Sequence, residues 1–247
     1  MNGEKTLPKT LQTLSTYLTA NDEVIVIVNG STDRSLELLE ETAQTWKNEP
    51  GSPELVVGTS GQGLGLALLH GIEKARGQFL ILSADDLPFG VSDWEAASNL
   101  EQPAHLIIGS KGHQLSVVNR TISRRMVTSI FGMLRRVILG TRIQDTQGTF
   151  LVNGNWIKEF LGESRENGFM WTTHLTIFAE KNGLLVREVP VKLTESHGSH
   201  GTRVKISDLI DGVYGLFRVR RSVKSSLKRK DNLALKYPVH EPFPPPQ

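Results

Sequence analysis

Two acidic residues, Asp85 and Asp86, follow the apolar run FLIL at residues 79–82. Adjacent carboxylates repel each other unless a cation lies between them. Hard divalent ions such as Mg²⁺ and Mn²⁺ prefer oxygen ligands, and phosphate oxygens are among the groups that they bind. The acidic pair therefore predicts a divalent metal site that also takes a phosphate-bearing substrate.

A glycine-rich stretch, TSGQGLGLALLHG at residues 59–71, is a second candidate site. Glycines let a ligand approach the backbone closely. Asp85 follows about 20 residues later, where a dinucleotide-binding domain keeps its ribose-binding acid. That pattern fails, however, because the third glycine position counted from Gly61 is Leu66. A chance match is therefore expected in a chain with 23 glycines.

The elements that position these residues alternate between strands and helices in the first half of the chain. Strands are predicted near residues 23–28, 54–58, 77–82 and 104–109, and helices at 5–20, 35–46 and 64–75. This alternation is typical of an α/β fold with a parallel sheet and helices on both faces. The first run, EVIVIV, is apolar throughout and is expected to be buried on both faces.

The second half is predicted to be mainly helical. Helices are expected at residues 119–140, 155–161, 171–182 and 203–230, with one strand in LLVREVPVKL at 184–193. The helix at 119–140 is basic and amphipathic. The tail YPVHEPFPPPQ at 237–247 is rich in proline and is expected to remain unpacked.

Polar clusters follow three of the predicted strands: NGSTD at 29–33, GQGLG at 61–65 and ADD at 84–86. In an open α/β sheet, ligands bind beyond the carboxyl ends of the strands. We therefore expect the three clusters to meet in one crevice.

Length and composition exclude several classes of protein. A chain of 247 residues is long enough for one α/β domain with a sizeable core. The formal net charge of +2 is too small to indicate nucleic-acid binding across the surface, so no nucleic-acid partner is expected. The absence of cysteine excludes disulfides, thiolate zinc sites and cysteine nucleophiles. No run approaches the roughly 18 apolar residues of a spanning helix, and no signal-peptide core is present, so a cytoplasmic location is expected.

The order of these motifs resembles that of the family 2 glycosyltransferases, and within them the dolichyl-phosphate (polyprenyl-phosphate) mannose and glucose synthases. The segments that carry the resemblance are EVIVIVNGSTDRSLELLE, GQGLGLALLHGIEKARGQFLILSADDLPFG, LIIGSK, RIQDTQGTF and VREVPVKL, all within residues 2–222. The resemblance implies a nucleotide-diphospho-sugar transferase (GT-A, Rossmann-like) fold, a divalent metal and inversion at the anomeric carbon. It divides the chain into a glycosyltransferase domain at 1–222 and a basic, proline-rich tail at 223–247.

The resemblance also implies a donor site for a GDP- or UDP-linked sugar. Asn29 and Asp33 are expected to contact the nucleoside, and Gly61 and Gly63 to lie beneath the nucleotide. Lys111 is expected near the sugar and phosphates, and Asp85 is expected to contact the nucleotide sugar. Asp85 and Asp86 resemble a D-x-D pair that holds Mg²⁺ or Mn²⁺. Such an ion neutralises charge on the departing nucleoside diphosphate. The simpler alternatives are a turn ahead of Pro88 for the acidic pair and a helix cap for Asp33.

An acceptor site for a polyprenyl phosphate is implied by QDTQGTF at residues 144–150. Asp145 is the candidate general base for a hydroxyl acceptor, or an orienting group for an ionised phosphate, and Gln147 is expected to hydrogen-bond the sugar. The candidate phosphate-binding residues are Arg120, Arg124, Arg125 and Ser199. A guanidinium can bind two phosphate oxygens. The alternatives are a solvated helix face for the arginines and an aspartate bonded to nearby backbone amides for Asp145.

The resemblance places one further strand immediately before NGEKTLPKTL at residues 2–11, inside the sheet. Without that strand, two neighbouring strands keep unpaired backbone groups in the interior, which is costly. We therefore expect either a truncated N-terminus or another segment in the same place.

Several positions depart from the family pattern. They are Val28, Ser83 and His174, where the family has acids, and Thr149, where it has a glycine. These departures leave base recognition, metal dependence and the acceptor open. The second hypothesis is therefore a non-catalytic nucleotide-sugar-binding or scaffold protein of the same fold. A third, a sugar-phosphate nucleotidylyltransferase, lacks the glycine- and arginine-rich loop expected after its first strand, although the missing strand keeps it open.

Seven basic residues lie between Arg218 and Lys230, and Val219, Val223 and Leu227 fall on one face of the predicted helix. Each basic residue near an anionic lipid surface contributes about 1 kcal/mol to binding. The segment predicts either a peripheral contact with an anionic membrane, which suits a lipid-phosphate acceptor, or a solvated C-terminal helix.

Overall fold

The computed structural model describes residues 2–117, 122–193, 206–226 and 232–247. The helices are α1 (Leu7–Tyr17), α2 (Ser35–Asn48), α3 (Leu64–Lys74), α4 (Ser92–Ser98), α5 (Ile122–Leu139), α6 (Ile157–Glu163), α7 (Met170–Lys181), α8 (Ile206–Ser226) and α9 (Leu233–Lys236). The strands are β1 (Glu23–Asn29), β2 (Glu54–Ser60), β3 (Phe79–Leu82), β4 (Leu106–Ser110), β5 (Thr149–Asn153) and β6 (Val186–Pro190).

The first sheet contains two parallel strands, β1 and β2, which pair from Glu23 opposite Glu54 to Asn29 opposite Ser60. The apolar faces of α1 and α2 contribute to one core cluster with these strands. Its buried members are Leu7, Leu11, Val24, Leu39, Trp46 and Leu55. The leucine spacing that predicted α1 therefore marks the face that packs on the sheet.

The second sheet has the order β3-β5-β4-β6 and is mixed. β5 runs antiparallel to both β3 and β4, whereas β4 and β6 are parallel. Every residue of β4 and β5 is buried, and α3, α6 and α7 contribute to the largest core cluster on this sheet. The α/β fold class is confirmed, but β5 and the short helix α4 were not predicted from the sequence.

A cavity of about 750 Å³ separates the two sheets. The free edges of β1 and β3 line it on two sides, and residues of α1 and α3 line the others. No segment in the described part of the chain forms a strand in this gap. The prediction that β1 is buried on both faces is wrong, because six of its seven residues are only half-buried and Val24 alone is buried. Its open edge faces the cavity instead of a neighbouring strand.

The amino ends of the strands are tied together across this cavity. The Glu23 carboxylate accepts hydrogen bonds from the backbone N–H groups of Arg76, at 2.7 Å, and Gly77, at 3.0 Å. The Arg76 guanidinium also pairs with Glu23 and with Glu54 at the start of β2. β1, β2 and β3 therefore begin at one edge, and their carboxyl ends lie together at the opposite edge.

The C-terminal helix α8 packs on α5 and α7. Val219 and Val223 are buried there in a cluster with Leu139, Ile177 and Leu216. Val219 and Val223, which share one face of the predicted helix, therefore face neither lipid nor solvent, because these side chains complete a protein core. Leu227 lies outside the described residues.

The proline-rich tail is packed, which corrects the expectation that it is not. The backbone carbonyl of Glu241 accepts a hydrogen bond of 2.8 Å from the Asn153 side chain. The Trp94 indole donates one of 2.6 Å to the carbonyl of Pro244. Phe243 is buried and meets the Phe79 ring edge-on, with centroids 5.3 Å apart. Proline has no N–H donor, but two backbone carbonyls, of Glu241 and Pro244, and the Phe243 side chain hold this segment against the domain.

Candidate active site

The loops after β1 and β2 meet at the carboxyl edge of the first sheet, as predicted. The Asn29 side-chain oxygen accepts a hydrogen bond of 2.8 Å from the backbone N–H of Gly63. Gly30 has a φ of +61° and lies beside Gln62. A left-handed φ favours glycine, so the chain can turn sharply at this point. The NGSTD and GQGLG clusters thus form one wall of a crevice.

Two glycines of this loop make room for protein rather than for a ligand. A side chain at Gly63, where φ is +139°, would overlap the carbonyl oxygen of Asn167. A Cβ at Gly65 would lie 2.7 Å from the carbonyl oxygen of Glu166. A Cβ at Gly61 would meet only the tip of the Leu66 side chain, at 3.7 Å, so protein atoms leave space beside the Gly61 α-carbon for a ligand.

Asp33 is held by backbone and hydroxyl donors. Its carboxylate accepts hydrogen bonds from the N–H of Glu4, at 3.1 Å, and from the N–H of Ser35, at 3.2 Å. The Ser35 hydroxyl also donates to it and is the main reason that the pKa of Asp33 is lowered. This geometry supports the capping alternative, since the bonds fix the loop and the start of α2.

The acidic pair after β3 lies near the same wall. A Cβ on Gly3 would lie 2.8 Å from the Asp85 carboxylate, and the N–H of Gly3 donates to Ser35. The Thr10 hydroxyl donates a hydrogen bond of 2.7 Å to the backbone carbonyl of Asp85. The third polar cluster is therefore connected to the loop after β1 through the N-terminal segment, whose Glu4 N–H also donates to Asp33. That the three clusters share one crevice stays a prediction.

The described residues contain no group of three or more His, Cys, Asp or Glu side chains arranged around a common metal position. Mg²⁺ in enzyme sites is commonly held by one or two carboxylates together with substrate phosphates. Asp85, which is exposed, and Asp86 supply only two carboxylates after β3, so an ion bound there would need further oxygens, such as those of a diphosphate.

Lys111, Asp145 and Gln147 form a compact group at the ends of β4 and β5. One Asp145 oxygen lies 3.2 Å from the Lys111 ammonium and accepts the Lys111 backbone N–H at 2.9 Å. The other oxygen accepts the N–H of Gln147 at 2.8 Å. The Lys111 ammonium also donates to the Gln147 carbonyl at 2.6 Å. The two candidate catalytic residues are thus linked through one lysine.

The charge state of Asp145 follows from these contacts. Burial on its own raises the pKa of Asp145, but the Lys111 charge and the hydrogen bonds from Gln147 and Lys111 lower that pKa more. The carboxylate is therefore ionised at neutral pH and is a weak base. Its bonds to backbone amides match the structural alternative considered for this residue, and they also fix its direction.

Lys111 lies between the Asp145–Gln147 group and the segment that follows the acidic pair. Its ammonium lies 5.4 Å from the centre of the Phe89 ring, which follows the acidic pair by three residues. A lysine ammonium has three donors, and two of them are used by Asp145 and Gln147. The third can face a ligand oxygen at this edge.

The arginine candidates are only partly described. Arg124 and Arg125 lie in the first turns of α5, and their side chains are outside the described set. Arg120 and Ser199 lie outside the described residues altogether. Their proposed contacts with phosphate stay predictions.

Two functional candidates were missed from the sequence. Arg135 is 4% exposed and donates to the turn at residues 143–146, and Glu188 accepts two backbone N–H groups from the same turn. Arg135 was one of five arginines in a basic helix, and nothing in the pattern set it apart. Only the burial of Arg135 in the folded protein distinguishes it as a candidate.

Two of the positions that depart from the family pattern, Thr149 and His174, are buried in the core. The Thr149 hydroxyl donates to the buried Asp93 carboxylate, whose pKa is raised by burial. His174 is buried against Phe160, with ring centroids 5.1 Å apart. Burial lowers the pKa of His174 to about 4, although Glu166 opposes this shift. Thr149 and His174 therefore act in packing.

Residues 1–157 match Glycosyl transferase family 2. The chain belongs to this family, and the class of enzyme that the fold and site define is a glycosyltransferase of GT-A fold. Over 237 residues it is 27% identical to the dolichyl-phosphate beta-glucosyltransferase ALG5D of Trichomonas vaginalis, a match that covers 88% of this chain and 70% of that protein. The resemblance stated from the motifs is confirmed. In the portion of the chain that is described, no helix has both the length and the apolarity needed to cross a membrane.

Proposed function

We propose that the protein transfers one sugar, glucose in the first instance, from a nucleoside diphosphate to a dolichyl or other polyprenyl phosphate with inversion. The observation that carries this proposal is the Lys111–Asp145–Gln147 group at the carboxyl edge of the sheets. The relative named for transfer of glucose to dolichyl phosphate supports the choice of sugar and acceptor.

The state of Asp145 supports a phosphate as the acceptor. A hydroxyl acceptor needs a base to take its proton in the transition state. Asp145 has a lowered pKa and both its oxygens accept hydrogen bonds, so it is poorly suited to that task. A phosphate monoester is largely ionised at neutral pH and needs no such base. Asp145 then orients Lys111 instead of moving a proton.

The reaction is a single displacement at the anomeric carbon. An acceptor phosphate oxygen forms the new bond to this carbon, and the bond to the donor diphosphate breaks with its electron pair on the leaving group. A divalent ion held by Asp85 and Asp86 would supply charge neutralisation on that diphosphate. Asn29 and Gly61 line the donor side, and the free donor of Lys111 binds a phosphate oxygen.

Membrane contact is proposed through a different surface from the one first predicted. The exposed apolar residues Ile130, Met133 and Val137 recur on one face of α5. On α8, which packs beside α5, Phe217 is exposed, and so are Arg221 and Lys224. Apolar side chains next to basic ones suit an anionic lipid surface.

Vesicle sedimentation tests this surface. We expect Met133→Ser combined with Val137→Ser to weaken binding to phosphatidylserine vesicles about tenfold, since two apolar side chains leave the lipid. The matched control is Leu235→Ser, an exposed leucine on α9. Equal binding by all three proteins would exclude the α5 face.

A transfer assay tests the function. Purified protein is incubated with dolichyl phosphate, Mn²⁺ and either UDP-glucose or GDP-glucose, both labelled in the sugar. We expect labelled lipid with one donor, and a loss of about 100-fold in Asp86→Ala, because a stabiliser of the leaving group is removed. The control Asp211→Asn changes an exposed acid on α8 and should keep full activity. No labelled lipid with either donor would contradict the proposal and favour a binding protein.

A further inference from the structure

The turn at residues 143–147 is held on its carbonyl side by Arg135. One guanidinium nitrogen donates to the carbonyl of Ile143, at 3.2 Å, and to that of Gln144. The other terminal nitrogen donates to the Thr146 hydroxyl at 3.2 Å. A planar guanidinium can reach three oxygens in one geometry, which a lysine cannot do.

The same turn is held on its amide side by Glu188 of β6. One carboxylate oxygen accepts the N–H of Gln144 at 2.9 Å, and the other accepts the N–H of Asp145 at 2.9 Å. Gln144 is therefore hydrogen-bonded at both its N–H, to Glu188, and its carbonyl, to Arg135. The peptide planes on both sides of this residue are fixed, and these planes set the direction of the Asp145 side chain.

The charges around the turn alternate in sign. Burial lowers the pKa of Arg135, while the charges of Asp145 and Glu188 raise it. A buried cation is costly unless it is paired and hydrogen-bonded. The carboxylates of Asp145 and Glu188 therefore stabilise the charged form of Arg135 inside the fold.

We propose that Arg135 and Glu188 are positioning residues that set Asp145, and through it Lys111, for the acceptor phosphate. This inference rests on the proposed function for its catalytic consequence. Neither side chain needs to touch a substrate. Each fixes the backbone of the turn, which fixes the direction of the Asp145 carboxylate. That carboxylate in turn holds the Lys111 ammonium, 3.2 Å away.

The kinetic test compares Glu188→Gln with Glu180→Gln. The amide at 188 keeps one acceptor oxygen but can no longer hold both N–H groups of the turn. Glu180 offers a matched control, because its carboxylate accepts the N–H of Arg142, just ahead of the turn, at 3.2 Å. We expect kcat to fall about tenfold in Glu188→Gln with the donor KM changed less than about twofold, and the control to stay within about twofold in both.

Hydrogen exchange gives a readout that does not depend on activity. We expect amides at 143–148 to exchange about tenfold faster in Glu188→Gln and in Arg135→Lys, with those of β5 unchanged. Unchanged exchange in the turn, or equal acceleration in β5, would overturn the inference. So would faster exchange in the turn with kcat preserved. If the wild type transfers no sugar, the proposed function fails, while unchanged or faster exchange in the turn still decides whether these residues position it.

Discussion

The two sheets of the molecule are completed to different degrees. In the second sheet, β4 and β5 pair on both edges and every one of their residues is buried. In the first sheet, β1 pairs on one edge only, is mostly half-buried and opens onto a cavity of about 750 Å³. The proposed acceptor group stands on β4 and β5 of the more complete sheet. The proposed donor loops after β1 and β2 stand on the incomplete one, and the acidic pair follows β3, whose free edge faces the same cavity.

This difference indicates which loops of the proposed site are rigid before a ligand binds and which can adjust to it. Segments with few buried contacts and open backbone groups unfold locally at low free-energy cost. We therefore expect the Asn29 and Gly61 loops to gain further order when their ligand binds, and the Asp145 turn to be fully ordered before any ligand binds.

The largest effect should come from breaking the complete sheet. Phe150 on β5 is 1% exposed and belongs to the main core cluster. Phe150→Ala should lower the free energy of unfolding by about 3–5 kcal/mol, because it removes an aromatic ring and leaves a cavity. Urea unfolding followed by circular dichroism measures this. A loss below 1 kcal/mol would show that this sheet is not the better packed one.

Acid should lower the free energy of unfolding through His174, which lies on α7 and contacts Phe160 in the core on the second sheet. The pKa of His174 is about 4 in the folded protein, below its usual value of 6.5. Protonation therefore favours the unfolded state as the pH falls from about 6.5 towards 4. Between pH 8 and pH 5 this residue should cost about 2 kcal/mol of stability.

Substitution of the histidine tests this sign. His174→Leu should remove that part of the pH dependence, whereas His240→Leu, at an exposed position, should keep it. Unfolding by urea at pH 5 and pH 8 of the wild type and both variants gives the six values needed. Identical pH dependence in His174→Leu and the wild type would contradict the buried, neutral state of His174.

The smallest effect should come from the incomplete sheet. Val26 of β1 is half-buried and lines the cavity. Val26→Ala should cost about 1 kcal/mol, because only part of its surface leaves water on folding. A loss as large as that of Phe150→Ala would remove the contrast between the sheets.

Much of the fold was predictable because apolar runs and leucine spacing report burial directly. The strands β1 to β4 and the helices α1 to α3 were predicted in this way. β5 was missed because TFLVN continues a polar turn, and its pairing partners are remote in sequence. The tail was misjudged for a related reason, since the burial of Phe243 depends on Phe79 and Trp94.

The site was predictable to the extent that strand ends determine it. The convergence of the loops followed from the general rule for α/β sheets. The packing reason for Gly63 and Gly65 was not predictable, because it lies in Glu166 and Asn167, about a hundred residues away. Arg135 was hidden among other arginines of α5, since a sequence does not show which of them turns inward.

Hydrogen exchange with and without a nucleoside diphosphate tests the central claim most directly. The wild-type protein is measured alone, with Mn²⁺, and with Mn²⁺ plus UDP or GDP. We predict that one nucleotide slows exchange at residues 29–33 and 61–63, while β4 and β5, already protected, do not change. Protection by neither nucleotide, or protection confined to parts of the chain remote from these loops, would contradict a donor site at the carboxyl edge of the incomplete sheet.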